Sequence, residues 1–258
     1  MTLKKESLVV LVIARNKSVM DQKSIKWLRK SIELEIIDAS TPNSLRKSVY
    51  RPARSVKPIE MAISVSHHRA RLRAEAVGKE WTLILEEDAI INFKVLQLFE
   101  LIENLAKDHD RKTPLGIHLF PEQFGILTKN LKSDFLNVKY LPDYAVGYCL
   151  NSSAIKRAIK DFDTNNVELA DWPHKIRKNI SWFAPSSSFV LHPDTHLYTT
   201  KSSTSKYREE RKNYSFFQKI SSFRMIPLLL IKIGHILNLK FGENPIASEK
   251  IRSIKLSI

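Results

Sequence analysis

Leu8-Val-Val-Leu-Val-Ile13 is an unbroken run of aliphatic, mostly β-branched residues. With no polar interruption, neither face of such a segment can be given to water. It therefore predicts a strand covered on both sides, as in a parallel sheet flanked by helices. Lys4 and Lys5 precede the run, so the N-terminus also mimics a short secretory leader. The run is at the minimum length for one, however, and Arg15, Asn16 and Lys17 follow it where a small-residue cleavage site belongs. A buried first strand is the better reading.

Outward from this strand, helix and strand signals alternate. Ser24 to Ile32 carries Ile25, Leu28 and Ile32 at helical spacing, and Leu34 to Ile37 is a short strand closed by Asp38, Ser40, Thr41 and Pro42. After a basic loop from Arg46 to Lys57, Pro58 opens a helix with Glu60 near its positive end. That helix runs to about Val77, with Ala62, Val65, Leu72 and Ala76 expected on its core face. Trp81 to Leu85 is the next strand, followed by a helix from Asn92 to Lys107 and strands at Gly116 to Phe120, Phe135 to Leu141 and Tyr144 to Leu150. Asn151 and Ser152 can cap a helix from Ala154 to Phe162. Asp171-Trp172-Pro173 starts another short helix, and Ser181 to Phe183 and Ser188 to Leu191 are strand-like. The alternation predicts an α/β fold with a mainly parallel central sheet.

Composition narrows the chemistry. At 258 residues with 43% hydrophobic and 27% charged, the chain can bury a core without disulfides or a structural metal. Its one cysteine, Cys149, excludes an internal disulfide and a multi-cysteine zinc site, fits a reducing compartment, and lies in an apolar strand as an inert thiol. The six glycines are too scattered for G-x-G-x-x-G or a P-loop, so a bound nucleotide must have its phosphate charge met in another way. The net charge of +15 makes nucleic acid, an anionic membrane and phosphorylated substrates available partners, alongside a merely solvated basic surface.

The sharpest local feature is Leu83-Ile-Leu-Glu86-Glu87-Asp88, an apolar strand that ends in three acids. In open α/β sheets that end is where ligand crevices form. Extended alternation would turn Glu86 and Asp88 to one side and Glu87 to the other. Crowded carboxylates suit a hard divalent cation, although a solvated acidic turn explains the same residues.

The segment Pro58-Ile-Glu60-Met-Ala-Ile-Ser-Val-Ser66-His67-His-Arg69-Ala-Arg71, followed by Leu85-Glu86-Glu87-Asp88, resembles glycosyltransferase family 25, the lipooligosaccharide galactosyltransferases and their relatives. Val12 to Arg15, Ile36 to Ala39, Ala145 to Ala154 and Ala170 to Trp172 extend the resemblance across roughly residues 8 to 195. Departures are Ala62-Ile63-Ser64 where the family has a Gly-Cys pair, Glu87 where it usually has Asp, and Gly116 to Phe120, which has no close counterpart.

The resemblance implies a GT-A-like catalytic domain over residues 1–200. It implies transfer of a hexose, chiefly galactose, from a UDP-sugar to a lipooligosaccharide, lipopolysaccharide or other glycan acceptor, with inversion and with Mn²⁺ or Mg²⁺. Glu86 and Asp88 would hold the metal, and Arg15, Asp38, Ser66, His67, Arg69 and Glu87 would face the donor. Asp171 would be the general base, although a helix cap before Pro173 is its equal structural alternative. For His67 a hydrogen-bonding role stands beside a catalytic one. His68 should point about 100° away, to surface or core. Trp172 can stack on an acceptor sugar or simply pack.

Residues 201–258 form a basic linker and an amphipathic C-terminal tail. They carry 12 basic and 4 acidic residues, a net of +8 against +7 for the other 200. Phe216, Phe217, Ile220, Phe223, Ile226, Leu229 and Leu230 recur near helical spacing among Lys219, Arg224 and Lys232. The tail is expected to contact an anionic membrane peripherally, on the cytoplasmic face, or else to pack on the domain. No stretch reaches the roughly 20 apolar residues of a spanning helix. The competing readings are a nucleic-acid-binding protein, which lacks a recognisable motif and is not expected, and a metal-dependent phosphoryl-transfer enzyme using the same acids.

Overall fold

The computed structural model describes residues 5–53, 56–92, 95–120, 127–129, 135–138, 145–168, 173–185 and 188–191. In chain order the elements are β1 (Leu8–Ala14), α1 (Lys23–Arg29), β2 (Glu33–Asp38), α2 (Pro42–Leu45), α3 (Pro58–Val77), β3 (Trp81–Glu86), β4 (Ile90–Ile91), α4 (Val95–Lys107), β5 (Leu115–His118), β6 (Leu127–Lys129), β7 (Phe135–Val138), β8 (Gly147–Asn151), α5 (Ser152–Asp161), α6 (His174–Asn179), β9 (Ser181–Pro185) and β10 (Val190–Leu191). The sheet has the order β2-β1-β3-β8-β5-β9-β7-β6, and β4 pairs with β10 separately. β1 is parallel to β2 and β3, and β5 is parallel to β9. β8 runs against both of its neighbours, and so does β7. Six of the eight strands thus share one direction, the mainly parallel α/β sheet that the alternation predicts. The antiparallel β8 at its centre is what alternation alone does not reveal.

Every residue of β1 is buried, as its sequence demands. One face of the sheet packs Val10, Val12, Leu83, Leu85 and Ile117 against Ile25 and Leu28 of α1 and Leu98, Ile102 and Leu105 of α4. The other packs Val9, Leu11, Ile84 and Tyr148 against Ala70 and Ala74 of α3 and Ala154 and Ala158 of α5. Alanines dominate the helix side of this second layer, which lets α3 and α5 lie close to the strands.

α3 is the longest helix, at 20 residues, and both its ends follow from sequence. Pro58 occupies the first turn, and the Lys57 N–H donates to the Glu60 carboxylate at 3.0 Å. Gly78 closes it in the left-handed region at φ 72°, its N–H donating to Ala74 O at 3.0 Å. The inner face differs from expectation. Ala62 and Val65 are buried, but Leu72 is 40% exposed and Ala76 is exposed, while His67, Ala70, Arg71 and Ala74 turn inward. A stripe of aliphatic residues picks the wrong side because the buried side here carries polar groups.

Gly116 in β5 lies under the Trp182 ring. A Cβ there would stand 2.6 Å from Trp182 Cε3. Gly116→Ala is therefore expected to destabilise the fold by about 2 kcal/mol through overpacking, lowering the melting temperature by roughly 4–8 °C. Thermal unfolding of the two proteins checks this.

Candidate active site

The parallel registers put three strand ends at one edge of the sheet. Ala14 lies opposite Asp38 and Ile13 opposite Glu86, so Arg15, Asp38 and the acids from Glu86 onward emerge side by side. The Ala39 N–H donates to Ala14 O at 2.8 Å, carrying the β1–β2 ladder past the last paired residues.

At this edge the three acids separate. Glu86 is the last residue of β3, and its N–H donates to Val146 O at 3.0 Å. The Ala89 N–H donates to Glu86 O at 3.1 Å, which closes a turn over Glu87 and Asp88. Extended alternation therefore stops at Glu86, and the common orientation of Glu86 and Asp88 expected from a strand is not what relates them. Glu87 accepts at Oε2 from the Arg15 backbone N–H at 2.9 Å and at Oε1 from Arg15 Nε. Its own carbonyl accepts from Gln22 Nε2 at 3.0 Å. Glu87 thus ties the end of β3 to the end of β1, and Asp88 sits half-buried in the turn.

Glu86 faces the α3 side of the sheet. Its Oε1 lies 3.0 Å from Nε2 of His67, which is only 1% exposed. The other ring nitrogen, Nδ1, lies 3.0 Å from the Tyr148 hydroxyl. Arg71, also 1% exposed, hydrogen-bonds Tyr148 in turn. Burial pushes the Tyr148 hydroxyl pKa up; Arg71 opposes that rise and the Glu86 charge adds to it. Sequence reasoning missed Arg71 and Tyr148. The four-residue spacing from His67 to Arg71 was the available signal, since it sets both on one helix face.

The remaining expected residues are placed as follows. The Ser66 hydroxyl accepts from the Ser40 N–H and donates to Ala62 O, both at 2.8 Å, so it pins the loop after β2 onto α3. Arg69 is exposed and donates through Nη1 to Asp38 O at 3.2 Å. His67 and Arg69 thus leave α3 in different directions, whereas the sequence suggested one crevice for both. Cys149 is buried, and burial pushes its thiol pKa far up, as expected of an inert cysteine. Asp171, Trp172, the boundary near residue 200 and the C-terminal tail lie outside the described residues.

His68 turns into the layer between α3 and the loop after α5, as expected for its core alternative. Its ring stacks on Phe162 with centroids 3.9 Å apart and meets Tyr50 edge-on. Burial, with Arg71 adding to it, lowers its pKa from 6.5 to about 4. The neutral ring is therefore the folded form. Its contribution to stability is complete above pH 6.5 and is lost as the pH falls toward 4. His68→Phe, which keeps the stacking, is expected to remove about 1–2 kcal/mol of acid sensitivity in that window. Melting temperatures from pH 7 to 4 check it: a parallel decline in both proteins would contradict the assignment.

Among the described residues, no three or more His, Cys, Asp or Glu side chains come together to hold a metal ion. The candidate donors at the edge, Glu86 and Asp88, are carboxylates without sulfur. That set fits Mg²⁺ or Mn²⁺ completed by substrate phosphates and does not fit a closed structural metal site. Nor is any helix of the described residues long and apolar enough to cross a membrane.

No family model matches the chain. The chain is 29% identical over 109 residues to the 4-hydroxy-tetrahydrodipicolinate reductase of Rickettsia canadensis (strain McKiel), covering 42% of this chain and 43% of that protein. It is 28% identical over 109 residues to the same-named reductase of Rickettsia akari (strain Hartford), covering 42% of each. The chain thus spans less than half the length of the curated relatives it matches. Among solved structures, UDP-glucose pyrophosphorylase complexed with UDP-glucose is 13% identical with a TM-score of 0.37, over 70% of this chain and 74% of that one. A glycosyltransferase involved in glycosylation of the major capsid of PBCV-1 is 10% identical with a TM-score of 0.35, over 79% and 98%. At such scores the fold is read from the strand order itself.

Proposed function

We propose that the protein is a metal-dependent glycosyltransferase of GT-A type. It would move a hexose, galactose first among the candidates, from a UDP-sugar to a lipooligosaccharide, lipopolysaccharide or other glycan acceptor, with inversion. The observation that carries this reading is the emergence of Glu86 and Asp88 at the strand edge that also presents Arg15 and Asp38, with Glu86 held from behind by His67. The order of these residues along the chain is that of the resemblance to glycosyltransferase family 25, which rests on the motifs alone.

In this reading Glu86 and Asp88 hold Mn²⁺ or Mg²⁺, which when bound supplies Lewis-acid stabilisation of the departing diphosphate. Arg15 and Arg69, both exposed at the edge, add positive charge toward the donor phosphates. Asp38 serves the donor nucleoside, and Ser66 and Glu87 act by holding the loops that shape its site. Asp171 takes the proton from the acceptor hydroxyl as its oxygen attacks the anomeric carbon and the bond to UDP breaks. Residues 201–258, with a net charge of +8, bring the domain to anionic lipid on the cytoplasmic face, where a lipid-linked acceptor would lie.

The test is UDP release from UDP-galactose in the presence of a lipooligosaccharide acceptor, with Mn²⁺ or with chelator. Metal-dependent release that requires acceptor is expected. Cleavage of a nucleic acid in its place would assign the same acids to phosphoryl transfer.

A further inference from the structure

The buried polar chain behind Glu86 has a defined direction. Arginine only donates hydrogen bonds, so Arg71 must donate to the Tyr148 oxygen. In the Nε2–H tautomer of His67, the Tyr148 hydroxyl donates to His67 Nδ1 at 3.0 Å. Nε2–H donates to Glu86 Oε1 at 3.0 Å. In this tautomer the bonds run in one sense, and the end of the series is one oxygen of a carboxylate at the sheet edge.

Packing by itself does not account for this arrangement. Arg71 lies on α3 between Ala70 and Ala74, which face the sheet, and it is 1% exposed. Its Nε and Nη1 have no hydrogen-bond partner among the described residues. A buried guanidinium so incompletely satisfied destabilises a fold, and a methionine of similar length would fill the space at lower cost. Tyr148 is itself braced, its ring meeting Trp182 edge-on at 6.3 Å and tilted against His67 at 5.7 Å. Three elements, α3, β8 and β3, thus converge on the orientation of Glu86.

We propose that His67, Tyr148 and Arg71 are positioning residues that fix the Glu86 carboxylate for a divalent cation, so that His67 acts behind the metal site and touches neither metal nor donor. The inference rests on the cation reading of Glu86 and Asp88. Outer-shell partners of this kind contribute about 10–100-fold in metal affinity.

Mn²⁺ binding to the full chain in the presence of UDP, followed by the electron paramagnetic resonance of free Mn²⁺, tests it. Tyr148→Phe, which removes one hydroxyl, is expected to weaken Mn²⁺ binding several-fold, and His67→Ala about 10–100-fold. His67→Gln keeps an amide donor toward Glu86 and should recover part of the loss. The far-ultraviolet circular dichroism of the variants should match that of the wild type, which a general structural defect would not allow. Should His67→Ala fail to fold, Tyr148→Phe still decides. Wild-type Mn²⁺ affinity in Tyr148→Phe and the His67 variants would overturn the inference, with the cation site intact. Absence of Mn²⁺ binding in the wild type would overturn the cation reading and this inference with it.

Discussion

Replacing Glu86 and Asp88 together by alanine is expected to reduce sugar transfer by at least about 10³-fold, because the departing diphosphate would lose the cation that offsets its charge. The fold should survive. Both residues stand at or beyond the end of β3, outside the aliphatic layers that hold the sheet. The cost to stability comes from His67, whose Nε2–H loses its acceptor 3.0 Å away, about 1–3 kcal/mol for a buried donor. Glu86→Gln separates the two effects. Its amide carbonyl can still accept from His67, so stability should stay near wild type while the carboxylate charge is gone. Transfer assays beside thermal unfolding check the pair. Undiminished transfer in the double variant would remove the metal assignment.

Asp171→Asn is expected to lower kcat by about 10²–10⁴-fold with little change in donor binding. The helix-cap alternative read from the sequence does not hold, because α6 begins at His174 with Pro173 at its N-cap, and asparagine, which matches aspartate in size, removes only the base. The limb of the pH–rate profile that reports the base should disappear in the asparagine variant. A wild-type kcat in Asp171→Asn would require another base.

The fold was legible where one physical requirement dominated the sequence. Leu8 to Ile13 admits little besides a doubly covered strand, and Pro58, Glu60 and Gly78 mark both ends of α3 by backbone chemistry. β8 was legible as a strand but not as an antiparallel one, because direction depends on where the chain returns to the sheet. α2 went unseen: four residues held by the Thr41–Ser44 capping box leave no periodic signal.

The edge of the sheet was legible as a candidate site, and its internal wiring was not. Acids after an apolar strand are visible in sequence, but the turn over Glu87 and Asp88 and the capture of Glu87 by Arg15, 72 positions away, are long-range outcomes. Leu72 and Ala76 were expected inside because apolar residues usually are. His67 and Arg71 displaced them because Tyr148 and Glu86 wait across the interface.

Calorimetric titration of UDP-galactose and of UDP into the purified protein, with and without Mn²⁺, is the most direct test of the central claim. UDP-glucose and UDP-N-acetylglucosamine serve as comparators. The account predicts binding that requires Mn²⁺ and vanishes in the Glu86→Ala/Asp88→Ala double variant. Failure of UDP and of every UDP-sugar to bind in the presence of Mn²⁺ would contradict it.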